Sequence, residues 1–255
     1  MICDSESIAK ARNQLEELPI DDTVRCVVCP RALPASWPAK LEDWLTPREL
    51  EELSSFRHPS RRDNWIGGRW CAKRLLSSHY GDRTTSLHQW QILSRGSNHR
   101  GVYPVVFRDG MVQQLHLSIS HSDRVTAAAV SGNDEGKVGL DVVDKGELPE
   151  SFAASWFSKG ERNVLLASGW SYAAGWAAKE AVYKACNEGE SFQPRGVQLT
   201  HADDHGCSVR YQSTQVADVH LTCFDKAVIA IARRIEWESR SLSQANREEE
   251  RMQHD

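Results

Sequence analysis

An α+β fold made of two similar halves is what the sequence predicts. Helical patterns come first and runs of short strands follow, and that order occurs twice along the chain. Turn-rich pieces, "RGSNHRG", "RDG" and "SGNDEG", separate the strand candidates. The 255 residues suffice for one large domain or two small ones with a real core.

Residues 1–20 are polar and weakly periodic and read as a short surface helix or a loose arm. "TVRCVVCP" (23–30) is β-branched and short, a strand pattern. "TPRELEELSSF" (46–56) opens with Thr46 as N-cap, Pro47 at the first helical position and Glu49 at the third, a capping-box pattern. "SRRDNWIGGRWCAKRLLSSHYG" (60–81) carries apolar residues at helical spacing and should end before Gly81. Its Gly67–Gly68 pair costs roughly 1 kcal/mol per glycine against alanine, tolerable where a backbone or a ligand must come close. Strands are expected at 90–95, 103–110, 114–122, 125–131 and 137–144, then helices at 149–156, 158–168 and 171–187. Four strands near 196–201, 206–212, 216–223 and 226–233 complete the pattern. The expected division is an arm at 1–20, a first half at 21–136, a second at 137–236 and a polar, disordered tail at 237–255.

Composition narrows the function. Hydrophobic residues make up 40% and charged ones 26%, a soluble globular balance. No apolar run approaches the ~18 residues of a membrane span. The N-terminus lacks a secretory pattern, and seven scattered cysteines suit a reducing cytoplasm. Cys26 and Cys29 form a lone CxxC without a second ligand pair, open to reading as strand cysteines or as a metal or redox site. A net charge of −4 gives no field for nucleic acid. Locally, Arg57, Arg61, Arg62, Arg69, Lys73 and Arg74 face one acid, Asp63. That segment suits either an anionic ligand or a solvated helix face.

Three further stretches hold chemistry-capable groups. In "LSISHS", Ser118, Ser120 and Ser122 alternate with Ile119 and His121 where a strand runs out, at a turn able to bind an anion or a heterocycle. No GxSxG is present, so a hydrolase triad is not supported. In "VGLDVVDK", Asp141 interrupts an apolar strand, which is costly if it is buried and unpaired. Strand-end carboxylates either cap a loop or bind Mg²⁺ alongside phosphate oxygens. In "GWAAKEAVYKAC", Glu180 and Lys184 stand at i, i+4, the orientation of an exposed pair worth ~0.2–0.5 kcal/mol.

Taken in order, "RRDNWIGGRWCAK" (61–73), "LSISHS" (117–122), "GLDVVD" (139–144), "FSKGE" (157–161) and "WAAKEAVYKA" (176–185) resemble the 4′-phosphopantetheinyl transferases. The resemblance is to the large, single-chain, two-half type that activates siderophore, peptide and polyketide synthases, including the branch that activates enterobactin synthase, and spans roughly 46–235. It implies two α+β halves related by pseudo-twofold symmetry. It also implies Mg²⁺-dependent transfer of phosphopantetheine from coenzyme A to a serine of an acyl, peptidyl or aryl carrier protein, with release of 3′,5′-ADP, by a cytoplasmic monomer without nucleic-acid or membrane partners. A non-catalytic coenzyme A-binding homologue is the alternative. The resemblance assigns Asp141 and Glu180 as the Mg²⁺ carboxylates and catalytic groups, Glu180 as the candidate base, and Lys184 as the catalytic cation at the pyrophosphate. It assigns Arg62 and Arg69 to phosphate, Ser120 and His121 to the 3′-phosphate and adenine, and Lys179 to the coenzyme.

Two positions depart from the family's pattern. Val143 stands where many large members carry a second strand carboxylate. Asp144 belongs to the opposite strand face, so water is expected in that ligand's place. A G-x-P turn is replaced by "HRGVYP" (99–104), with Arg100 as the substitute cation.

Overall fold

The computed structural model describes residues 15–30, 40–79, 86–95, 101–187, 191–204, 206–211 and 214–234. The first fourteen residues, Arg100 and the tail from 235 lie outside them, and so do the expectations placed there.

In chain order the strands are β1 (Glu16–Pro19), β2 (Val24–Pro30), β3 (Trp90–Arg95), β4 (Gly101–Arg108), β5 (Met111–Val112), β6 (Leu115–His121), β7 (Val125–Gly132), β8 (Val138–Asp144), β9 (Val197–Ala202), β10 (Gly206–Tyr211), β11 (Thr214–Phe224) and β12 (Ala227–Arg234). The helices are α1 (Pro47–Ser54), α2 (Pro59–His79), α3 (Glu150–Trp156), α4 (Lys159–Ala167) and α5 (Tyr172–Cys186). Three antiparallel sheets result, ordered β1-β2-β7-β6, β3-β4-β5 and β8-β12-β11-β10-β9. The α+β class stands. No described helix is long and apolar enough to cross a membrane.

Two strands escaped the sequence pattern. Residues 16–19, read as a helix or arm, pair with β2 from Glu16↔Val28 to Pro19↔Arg25. Backbone hydrogen bonds to an open edge put "EELP" in a sheet; its side chains alone do not signal a strand. β5 is too short to show a period.

Period-2 alternation sets the layers. Val24, Cys26 and Val28 of β2 pack with Ala127 and Ala129 of β7 against Leu140 of β8 and Ile229 and Ile231 of β12, so two sheets face each other. Val27 and Cys29 point the other way, beneath Cys71, Ala72, Leu75 and Leu76 of α2. The two cysteines of the CxxC therefore lie on opposite faces of one strand, buried, and cannot grip one metal ion together. On the far face of the five-stranded sheet, α5 lays Ala177, Ala181 and Ala185 over Leu221, Ala230 and Ala232.

Two close approaches set the helix positions. A Cβ on Gly68 would meet Ile119 Cγ2 of β6 at 2.9 Å. The glycine pair in α2 is thus a seat against the sheet, not a ligand gap. A Cβ on Gly139 of β8 would overlap Ala181 O and sit 2.5 Å from Ala185 N. The missing side chain lets α5 lie directly on β8, which brings Glu180 and Lys184 to Asp141.

Candidate active site

β8 is the outer strand of its sheet, so one row of its backbone groups lacks a neighbouring strand and must be satisfied otherwise. Side chains provide the partners. Leu140 N donates to Ser118 Oγ at 2.9 Å and Val142 N to Ser120 Oγ at 3.3 Å, both hydroxyls coming from β6. Tyr103 Oη of β4 donates to Val138 O at 3.1 Å, and Lys184 Nζ to Leu140 O at 3.0 Å. The alternating serines of "LSISHS" thus form a hydroxyl comb along the edge of β8.

Asp141 lies on the α5 side of that strand, only 4% exposed. Its Oδ1 accepts from Ser120 Oγ at 2.8 Å and from Lys184 Nζ at 2.6 Å. Among the described residues its Oδ2 accepts nothing. The Lys184 ammonium is therefore not the far end of an i, i+4 bridge to Glu180, because it reaches across to β8. Glu180 is half-buried, one turn along α5 from Trp176. Burial, then the charge of Asp141, push its carboxyl above the ordinary carboxylate range, while Lys184 and Trp176 pull the other way.

Beside this cluster a cleft of about 550 Å³ opens between the segments. Asn64 of α2, His121 and Ser122 at the end of β6, Val143 and Asp144 of β8, and Trp176 of α5 line it. Asp144 is tied across the cleft: Oδ1 accepts from Ser122 Oγ at 2.7 Å and Oδ2 from Asp123 N at 3.1 Å. Arg57, Arg61 and Arg62 are exposed where α2 begins, within two turns of Asn64.

The structure sets two of the family-implied coenzyme residues apart from this cluster. Lys179 is fully buried. Its Nζ donates to Glu161 Oε1 at 2.7 Å, Pro194 O at 2.8 Å and Trp156 O at 3.0 Å. Glu161 also closes a capping box with Ser158 and accepts from Leu199 N at 3.2 Å. An ammonium with three buried acceptors is a structural fastener. The first half of the chain carries the same device: Lys73 Nζ meets Glu49 Oε2 at 2.6 Å and Trp44 O at 2.7 Å. Glu49 closes a box with Thr46 and accepts from Ile92 N at 3.0 Å. Burial lowers the Lys73 ammonium to about 8.

The sequence held a signal for this pair of locks. "WLTPRE" (44–49) and "WFSKGE" (156–161) share W-x-[ST]-x-x-E, and "AKR" (72–74) and "AKE" (178–180) supply the lysines. Arg74 stands where the second half has Glu180.

Arg69 is likewise enclosed, at 3% exposure. Its guanidinium donates to Ile92 O at 2.9 Å, Ser94 Oγ at 2.7 Å and Glu52 Oε1 at 3.1 Å, and lies 4.5 Å from the centre of the Trp65 ring. The phosphate assignment therefore meets a group already committed to protein acceptors. Arg69→Met is expected to cost roughly 3 kcal/mol, as for a buried pair stripped of one partner. The ratio of KM values for coenzyme A and dephospho-coenzyme A should stay unchanged. Urea denaturation and steady-state kinetics check the two halves of that expectation; a selective rise for coenzyme A would return Arg69 to the 3′-phosphate.

Comparison with known proteins bears on this cluster. Residues 137–232, which run from just before β8 through most of β12, match the model of the 4′-phosphopantetheinyl transferase superfamily. Over 93 residues, 35% of this chain, the sequence is 32% identical to a holo-[acyl-carrier-protein] synthase of Lactococcus lactis subsp. cremoris, covering 75% of that protein. A Streptococcus mutans protein of the same name is 34% identical over 86 residues, 34% of this chain and 70% of its own length.

Proposed function

This chain belongs to the 4′-phosphopantetheinyl transferase superfamily, and on that premise we propose that it moves the phosphopantetheine arm of coenzyme A onto a serine of an acyl, peptidyl or aryl carrier protein, releasing 3′,5′-ADP, as a cytoplasmic monomer. The observation that carries the reading is the cluster of Asp141, Glu180 and Lys184, brought together by the close contact of α5 with β8.

A divalent cation fits this cluster. Its donors are two carboxylates, both oxygen ligands, and among the described residues Asp141 keeps one oxygen without a protein partner. Among the described residues no group of three or more His, Cys, Asp or Glu gathers around a common point. Mg²⁺ commonly takes one or two carboxylates and completes its shell with phosphate oxygens and water. Asp141 and Glu180 would hold the ion, and bound there it would neutralise charge on the pyrophosphate.

The chain's own groups supply the rest. Glu180, half-buried beside Asp141 and directly or through a water held by the ion, is the candidate proton acceptor for the carrier serine. Lys184 carries the positive charge that meets charge developing on the departing 3′,5′-ADP, and as an ammonium it has a proton to give. The exposed Arg57, Arg61 and Arg62 at the head of α2, with His121 at the cleft, suit the anionic nucleotide end of coenzyme A.

Intact-mass analysis tests the proposal. Several apo carrier proteins are incubated with coenzyme A, Mg²⁺ and this protein. A gain of one phosphopantetheine on any of them is expected. Coenzyme A binding without mass gain on every carrier would favour the non-catalytic binder.

A further inference from the structure

Asp141 is held by one oxygen only. Ser120 Oγ and Lys184 Nζ both donate to Oδ1, at 2.8 and 2.6 Å, while Oδ2 has no protein partner among the described residues. Ser120 is itself fixed: its Oγ also accepts from Val142 N at 3.3 Å and from Lys184 Nζ at 3.2 Å, and the residue is 7% exposed. These bonds fill the capacity of one hydroxyl, a single donor with two lone pairs.

From this geometry we infer that Ser120 is a positioning residue for the metal carboxylate. It clamps Oδ1 of Asp141 so that Oδ2 is presented to the cation, and it does so from β6, an element outside the sheet that carries Asp141. The family resemblance assigns Ser120 to the coenzyme's phosphate. Here its hydroxyl is spent on Asp141, Val142 and Lys184. The inference rests on the reading of Asp141 as a metal ligand. Hydrogen bonds from neighbouring groups orient a ligating carboxylate, and their loss typically lowers metal affinity or activity roughly tenfold or more.

Ser118 supplies the control. Its hydroxyl serves β8 in the same way, accepting from Leu140 N at 2.9 Å, but its one side-chain bond to β8 is to backbone. A merely structural comb predicts equal effects from Ser118 and Ser120; a positioning role separates them.

The experiment measures Mn²⁺ affinity of the coenzyme A-saturated protein by electron paramagnetic resonance of free Mn²⁺. It compares wild type, Ser120→Ala, Ser120→Thr, Ser118→Ala and Asp141→Asn, with thermal melts and KM for coenzyme A and dephospho-coenzyme A alongside. Ser120→Ala is expected to weaken Mn²⁺ binding roughly tenfold with both KM values held. Ser120→Thr, which keeps the hydroxyl, should restore most of it, and Ser118→Ala should bind Mn²⁺ as wild type does. If the alanine variant does not fold, Ser120→Cys keeps the shape, gives up the strong donor and should show the same loss.

Equal Mn²⁺ affinity in Ser120→Ala and wild type, with binding lost in Asp141→Asn, overturns the inference alone. So does an equal loss in Ser118→Ala, or a selective rise in KM for coenzyme A. Wild-type Mn²⁺ binding in Asp141→Asn overturns the metal reading beneath it.

Discussion

Asp141→Asn should reduce turnover by roughly a thousandfold while the protein stays folded and still binds coenzyme A. The substitution keeps the shape of the side chain and removes the charge that would hold a divalent cation, whose stabilisation of a phosphoryl transition state is worth several kcal/mol. Folding should survive because the amide oxygen can still accept from Ser120 and Lys184, at the cost of an ammonium left without its counter-ion. Coenzyme binding should survive because the cations proposed for its nucleotide end are the exposed arginines at the head of α2, not Asp141. Rapid-quench measurement of 3′,5′-ADP release, with equilibrium dialysis for coenzyme A, separates the two quantities. Turnover within a few fold of wild type at limiting Mg²⁺ would remove Asp141 from the metal site. Lys184→Ala belongs to the same experiment. In the proposed role Lys184 is a cation aimed at developing charge, so its loss should appear in kcat at roughly a hundredfold or more. The structure adds a modest loss of stability, because among the described residues Asp141 then keeps Ser120 alone as a hydrogen-bond partner.

Lys179→Ala should lower stability by about 3–5 kcal/mol, the cost of breaking a buried ion pair by removing one partner. Glu161 would stay buried at 4% exposure with its charge uncompensated, and the carbonyls of Trp156 and Pro194 would lose their donor. Against a total stability of about 5–15 kcal/mol, the variant should be near its unfolding midpoint under mild denaturant. A surface lysine reaching for the coenzyme predicts the opposite: an unchanged melt and a raised KM. Guanidinium denaturation decides between them. Lys73→Ala should behave alike through Glu49, although it neighbours Arg74 and no catalytic carboxylate. If both variants melt like wild type, the locks contribute little to the fold.

The strands and helices were legible because local pattern and tertiary need agreed. α1 and α4 announced themselves through Thr46–Glu49 and Ser158–Glu161, where capping chemistry is local. The near-continuous apolar runs of β7, β8 and β12 were legible because both faces of each strand are buried. β1 was not, since what places "EELP" in a sheet is an open neighbouring edge, a partner the segment does not contain. The candidate site divided along the same line. That Asp141, Glu180 and Lys184 belong together was readable from ordered motifs, each weak alone.

What the sequence by itself determined is the chemistry available: two carboxylates and an ammonium at helical and strand spacing, a serine-rich strand end and a basic helix start. Only the tertiary structure decided which of those groups are spent on the fold. Lys179 and Lys184 lie five residues apart on one helix and look interchangeable in sequence. One points into the core against Glu161 and the other across to Asp141, because five residues turn an α-helix by about 500°, a little over a third of a turn past one full revolution. Arg69 and Arg62 divide in the same way on α2, one closed around Glu52 and the other in solvent. A residue's type gives its charge and its donors; which acceptors it meets is set by elements far away in the chain.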